Sequence, residues 1–204
     1  TALNRKTLRV TTEVHKKIKI LKKSGLEQGN VSVLLYGNGF FGESISKIKA
    51  ETHNLNKDSV TVTKLDKDQI FYENYDGISR IVKFTLPKVS VGSVITYSYR
   101  TTSPFIYNFN DWYFQEDIPK VTSEYVSSIP QDWVFKTQLI GNLEFANAEK
   151  AITPKCANEF FFGNMPKTFC ENIIFKMNDI PAFNIGHFNF GDIVFFVNEI
   201  DVIE

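Results

Sequence analysis

The feature that most limits what this chain can fold into is alternation with a period of two. In RIVKFTLP, Val82, Phe84 and Leu86 fall on one side of an extended backbone, and Lys83 and Thr85 on the other. Successive strand side chains point to opposite faces, so this is the pattern of a sheet with one buried face. SVITYSYRT repeats it, with Ile95, Tyr97 and Tyr99 opposing Val94, Thr96 and Ser98. SVTVTKL sets Val60 and Val62 against threonines, and IIFKM and DIVFFVNEI read as further strands near the end. The aromatic content agrees: 19 Phe, eight Tyr and two Trp suit a pleated, half-buried surface. The expected fold is all-β: a two-sheet, sandwich-like domain with long loops and at most short helices.

Gly, Asn and Asp clusters separate the strands. YGNGFFG (Tyr36 to Gly42) reads as a hairpin loop, NLNKDS (Asn54 to Ser59) as a hairpin tip, and YDG (Tyr75 to Gly77) and NIGHFNFGD (Asn184 to Asp192) as turns. Helix signals are sparse. EFANAEKAI (Glu144 to Ile152) has the composition for two turns before Pro154, and FGESISKIKAET carries Ile45 and Ile48 at helical spacing. No repeat, low-complexity segment or flexible linker breaks the chain, so residues 1–204 read as a single domain.

Charge excludes two classes of partner. Lys plus Arg and Asp plus Glu are both 23, giving a formal net charge of zero. Such a chain has no global field to gather nucleic acid or anionic membrane. Its one basic cluster, HKKIKILKK from His15 to Lys23, is interrupted by Ile18, Ile20 and Leu21 and reads as a strand or turn with solvated lysines. No apolar run of the ~18 residues a membrane span needs is present.

Chemistry is hard to find. Cys156 and Cys170 are the two thiols, and His15, His53 and His187 the three imidazoles. A Cys nucleophile needs a base and an orienting third group. Cys170, His187 and Asp179 or Asp192 supply the residue types, but TFCENI offers no turn or helix start to activate the sulfur. A disulfide between Cys156 and Cys170 and a pair of buried thiols both remain open. No CxxC or HxxxH spacing points to a metal, and no glycine loop ends in GK[ST], so neither a metal nor any other cofactor is expected.

The segment from Phe105 to Pro119 stands out. Phe105, Tyr107, Phe109, Trp112, Tyr113 and Phe114 crowd together with Asn108, Asn110, Asp111 and Gln115. Exposed, residues 105–114 would form a stacking platform for a glycan or peptide. Buried, they would be a fixed connection capping the sandwich, with Trp112 mostly buried and Gln115 bonded to backbone. In the preceding stretch Pro87 ends a strand, and Gly92 supplies a positive φ before the strand that carries Tyr97.

IKAETHNL, IVKFTLPKVSVGSVITYSYRTTSP, DWYFQEDIPKVTSEYVSSIP and MNDIPAF occur in this order. Together, from about Leu26 to the end, they resemble the β-rich domain of unknown function that precedes a transglutaminase-like core in large envelope proteins of Gram-negative bacteria. The most specific pieces run from Phe84 to Tyr99 and through Trp112, Phe114, Gln115 and Pro119. The resemblance implies a non-catalytic accessory or substrate-positioning domain. Its partner would be a transglutaminase-like domain downstream of Glu204, with that core's catalytic residues there. It also implies export to the periplasm or cell surface after removal of a signal peptide. Neither Cys156 nor Cys170 sits in a motif like that of the core. A free-standing glycan- or peptide-binding module remains the alternative.

Overall fold

The computed structural model describes residues 2–4, 9–37, 39–106, 109, 111–131, 135–140, 143–154, 169–183 and 195–200. Its strands are β1 (Ala2–Asn4), β2 (Arg9–Lys19), β3 (Asn30–Leu35), β4 (Ser44–Asn56), β5 (Ser59–Lys64), β6 (Ile70–Asn74) and β7 (Arg80–Thr85), followed by β8 (Val94–Ser103), β9 (Lys120–Pro130), β10 (Phe135–Ile140), β11 (Asn147–Pro154), β12 (Phe169–Ile180) and β13 (Phe195–Ile200). Short 3-10 turns at Lys23–Gly29, Gly39–Phe41 and Lys67–Gln69 are the helical elements among the described residues. The protein is all-β, as the alternation requires. No helix among these residues is long and apolar enough to cross a membrane.

The chain forms two compact units, one contiguous over residues 12–104 and one split between residues 1–11 and 105–204. The contiguous unit is a sandwich. One layer runs β2-β8-β4-β5 and the other β3-β7-β6. Alternation gives each layer one apolar face: β3 buries Val31, Val33 and Leu35, β7 buries Val82 and Phe84, and β8 buries Ile95. These side chains form one core with Ile20, Ala50 and Leu86, and Tyr97 and Tyr99 pack against it. Tyr97 meets Phe84 edge-on at 6.2 Å. Burying each such aliphatic or Phe side chain contributes about 1.5–3 kcal/mol.

In the split unit the order is β11-β12-β9-β1, continuing to the first residues of β2, while β10 pairs with β13. Most of these pairings are antiparallel, but β1 meets β9 in parallel at Ala2 and Ser128. The core of this unit gathers Phe114, Tyr125, Met177 and Ile180, with Trp112, Leu143, Phe145 and Phe175 against it.

Three local expectations are corrected. FGESISKIKAET lies largely in β4 and is not a helix. A bulge inserts one residue between Ser46 and Lys49, with Lys47 at φ 54°. The extra residue flips strand parity, so Ile45 and Ile48, three apart, both reach the same core. EFANAEKAI supplies β11, paired residue by residue with β12 from Asn147 to Pro154. Cross-strand pairing there overrides the helical preference of Ala, Glu and Lys. YGNGFFG is not a hairpin loop, because β3 pairs with β7 whereas β4 pairs with β5 and β8. It carries the chain from one layer of the sandwich to the other. Gly37, at φ 75°, is needed there, since a Cβ would sit 2.9 Å from the Gly42 Cα. The tip expected at NLNKDS is present: β4 and β5 are joined through Lys57 and Asp58. NIGHFNFGD lies outside the described residues.

Candidate functional site

The segment that precedes β9 has no regular hydrogen-bonding pattern, so its side chains, not a ladder, hold it in place. Phe114 is completely buried. Its ring meets Phe145 at 5.6 Å and Trp112 at 6.5 Å, both edge-on. Gln115 is 8% exposed and donates from Nε2 to the Pro181 carbonyl at 3.0 Å, as a cap would require. Its Oε1 is buried without a hydrogen-bond partner among the described residues. The Phe183 amide donates to the Glu116 carbonyl at 2.7 Å, so the DWYFQEDIP and MNDIPAF segments are bound to each other by side chain and backbone.

Trp112 is mostly buried, as expected, but it is not fully enclosed. Its indole Nε1 donates to the Ser123 hydroxyl at 3.2 Å, and its ring tilts against Tyr125 at 6.1 Å. The ring therefore bridges the core and its rim, and Phe114 takes the fully enclosed position. Asp111 and Pro119 are exposed, as are Phe105 (40%) and Tyr113 (42%). Phe109 turns inward with Val10 and Ile106. Tyr107, Asn108 and Asn110 lie outside the described residues. The aromatic stretch is thus divided, with Phe109 and Phe114 as framework and Phe105 and Tyr113 presented to solvent.

Sequence reasoning did not anticipate a second polar constellation, in the contiguous unit. Asn54, on β4, donates from Nδ2 to the Lys88 carbonyl at 2.9 Å, and its Oδ1 accepts from the hydroxyls of Ser90 and Ser93. Gly92, at φ 96°, donates to the Ile20 carbonyl, and Lys19 Nζ donates to the Gly92 carbonyl. These bonds fix the turn between β7 and β8, beside an open cleft of about 570 Å³ lined also by Asn56, Thr61 and Thr63. The positive φ expected at Gly92 is observed. The sequence signal for the rest was a polar Asn54 two residues beyond the buried Thr52 on the same strand face.

Cys170 is buried and disulfide-bonded. Cys156, the other half of the candidate pair, lies outside the described residues, as does His187.

Residues 6–155 match the family model of DUF3857, a domain of unknown function with a solved structure. The chain belongs to this family. No curated protein matches the sequence. A crystal structure from Parabacteroides distasonis ATCC 8503, described as a "putative protease", shares the fold with a TM-score of 0.73 at 14% identity. The similarity covers 98% of this DUF3857 chain and 38% of that protein's chain. The phrases from Phe84 to Tyr99 and from Asp111 to Pro119 both lie inside the matched residues.

Proposed function

We propose that this DUF3857 chain is a non-catalytic accessory domain that positions or recruits substrate for an adjoining transglutaminase-like enzyme in an exported envelope protein. The observation that supports this reading is the extent of the structural match: the whole fold corresponds to 38% of a longer chain described as a "putative protease". The division of the aromatic segment supports it as well, because Phe114 and Gln115 are committed to the interior.

The test compares the parent polypeptide with a version lacking residues 1–204. Removal is expected to raise KM for the downstream enzyme's substrate and leave kcat largely intact, the signature of lost binding without lost chemistry. The isolated chain is expected to show no transglutaminase, peptidase or amidase turnover. Turnover by the isolated chain, or an unchanged KM on removal, would overturn the reading. Fractionation of producing cells checks the address, with the protein expected in the periplasm or at the cell surface.

The exposed rings of Phe105 and Tyr113 favour a second reading, a glycan- or peptide-binding module. It predicts that soluble oligosaccharides or peptides change the fluorescence of Trp112, which the accessory reading does not require.

A further inference from the structure

The basic cluster His15 to Lys23 acquires a meaning in the structure that the neutral overall charge conceals. Charge is segregated along the chain. Residues 12–104 hold 14 Lys and Arg against nine Asp and Glu, a net of +5, and the remaining residues hold nine against 14, a net of −5. Within the contiguous unit, β2 turns His15, Lys17 and Lys19 to solvent and leads into the buried Ile20. On β4, Ala50 and Thr52 face the core and Lys49 faces out.

The solvent face of the β2-β8-β4-β5 layer therefore presents Lys17, Lys19, Lys47, Lys49, Lys64 and Arg100 against two carboxylates, Glu13 and Glu51. Both carboxylates are already engaged. Glu13 binds Arg100, and that bond, with Lys47 and His15 nearby, holds its carboxyl below the ordinary range. Glu51 lies 3.7 Å from Lys64 and 3.6 Å from His53. Lys17 and Lys49 have no ion-pair partner among the described residues.

The relief of this face is a trough. The central strand β8 contributes the short side chains of Thr96 and Ser98. Ser98 lies beside Lys49 and Thr96 beside Glu51 in the β4–β8 register. On the other side, the Glu13–Arg100 bond and the Ile20–Ser93 backbone bond bracket the β2–β8 pairing and set His15 and Lys17 abreast of Ser98 and Thr96. The result is a shallow depression of about 420 Å³ with a hydroxyl floor and cationic walls. Strands lie about 4.8 Å apart, so the walls stand about 10 Å apart.

We propose that this trough binds an extended acidic polypeptide segment. Charge complementarity selects an anion, and spacing selects a polypeptide. Outward residues of a strand recur every second position, about 6.8 Å apart. His15, Lys17 and Lys19 thus repeat at the interval of alternate side chains in an extended peptide. A segment with acidic residues at every second position lies along β8 with its carboxylates in step with the wall cations and its intervening groups near Thr96 and Ser98. The inference stands whether or not the domain serves a neighbouring enzyme.

The test is fluorescence anisotropy of the full chain with a labelled peptide of alternating Glu and Thr at low ionic strength. Binding that weakens with added salt is expected. Lys17→Glu combined with Lys49→Glu should weaken it about tenfold or more, and the Gln pair by a smaller factor, since charge reversal at a contact adds repulsion to lost attraction. Lys83→Glu, on β7 of the other layer, should leave it unchanged. Absence of binding, equal loss in Lys83→Glu, or no effect of the Lys17 and Lys49 variants overturns the proposal. So does equal affinity for a peptide with its glutamates in one block, or tighter binding of oligogalacturonate or duplex DNA.

Discussion

Phe114→Ala tests whether the DWYFQEDIP segment is framework. The ring is fully enclosed and touches Phe145 and Trp112 edge-on. An aromatic of this size buries about 150–250 Å², which at about 25 cal/mol per Å² sets an upper limit of about 4–6 kcal/mol on its hydrophobic contribution. Alanine keeps the Cβ but leaves a cavity, and Phe-to-Ala changes in cores cost about 3–5 kcal/mol. A loss of about 4 kcal/mol is therefore expected, a large share of the about 5–15 kcal/mol that stabilises a typical domain. Urea denaturation followed by tryptophan fluorescence reads it directly, because Trp112 packs on the substituted ring. Phe114→Leu, closer in volume, should cost less than about 1.5 kcal/mol and gives a folded reference if the Ala variant does not fold. A loss below about 1 kcal/mol for Ala, with an unchanged denaturant slope, would refute the framework assignment and favour a ligand platform.

Further outcomes follow from the same geometry. Trp112→Phe removes the indole bond to Ser123 and keeps most of the ring, so it should cost about 1 kcal/mol in the same denaturation assay. Asp76 accepts backbone bonds from Ser79 and Ile78, which hold its carboxyl below the ordinary range. Its contribution is present above the unfolded value, about 3.9 for Asp, and is lost as pH falls through the lower folded value. The gap in urea midpoint between the parent and Asp76→Ala should accordingly narrow on acidification, and a gap that widens would contradict the sign. Lys57 holds φ 53° at the β4–β5 tip. Lys57→Gly relieves an αL penalty of about 1–2 kcal/mol against an entropic cost of about 0.4–1 kcal/mol, so a small rise in thermal midpoint is expected.

The sandwich of the contiguous unit was legible because its strands bury one face in strict alternation. Val82, Phe84 and Leu86 are buried as their spacing demands. Legibility failed where a local device broke the period. The bulge at Ser46 to Lys49 gave Ile45 and Ile48 a helical interval inside a strand. It failed again at β11, whose residues are almost all exposed and whose conformation is imposed by β12. Between Phe105 and Pro119 no period exists, so nothing local could tell that Phe114, and not its neighbour Trp112, would be enclosed. The Asn54 constellation joins residues more than 30 positions apart, and such meetings are decided by topology alone. So is the trough, which needs β2, β8 and β4 side by side before its charges sum.

The division of the chain at Thr11 and Pro104 carries a consequence for biosynthesis. Every residue of the contiguous unit is available once Pro104 has been made, so its sandwich can close while the rest of the polypeptide is still being synthesised. The N-terminal strand β1 cannot be satisfied then, because its neighbour on β9 is Ser128. Strand β1 is made before the sandwich but finds its place after it, and until then its backbone offers an open edge. A factor that shields nascent chains would meet this protein at β1.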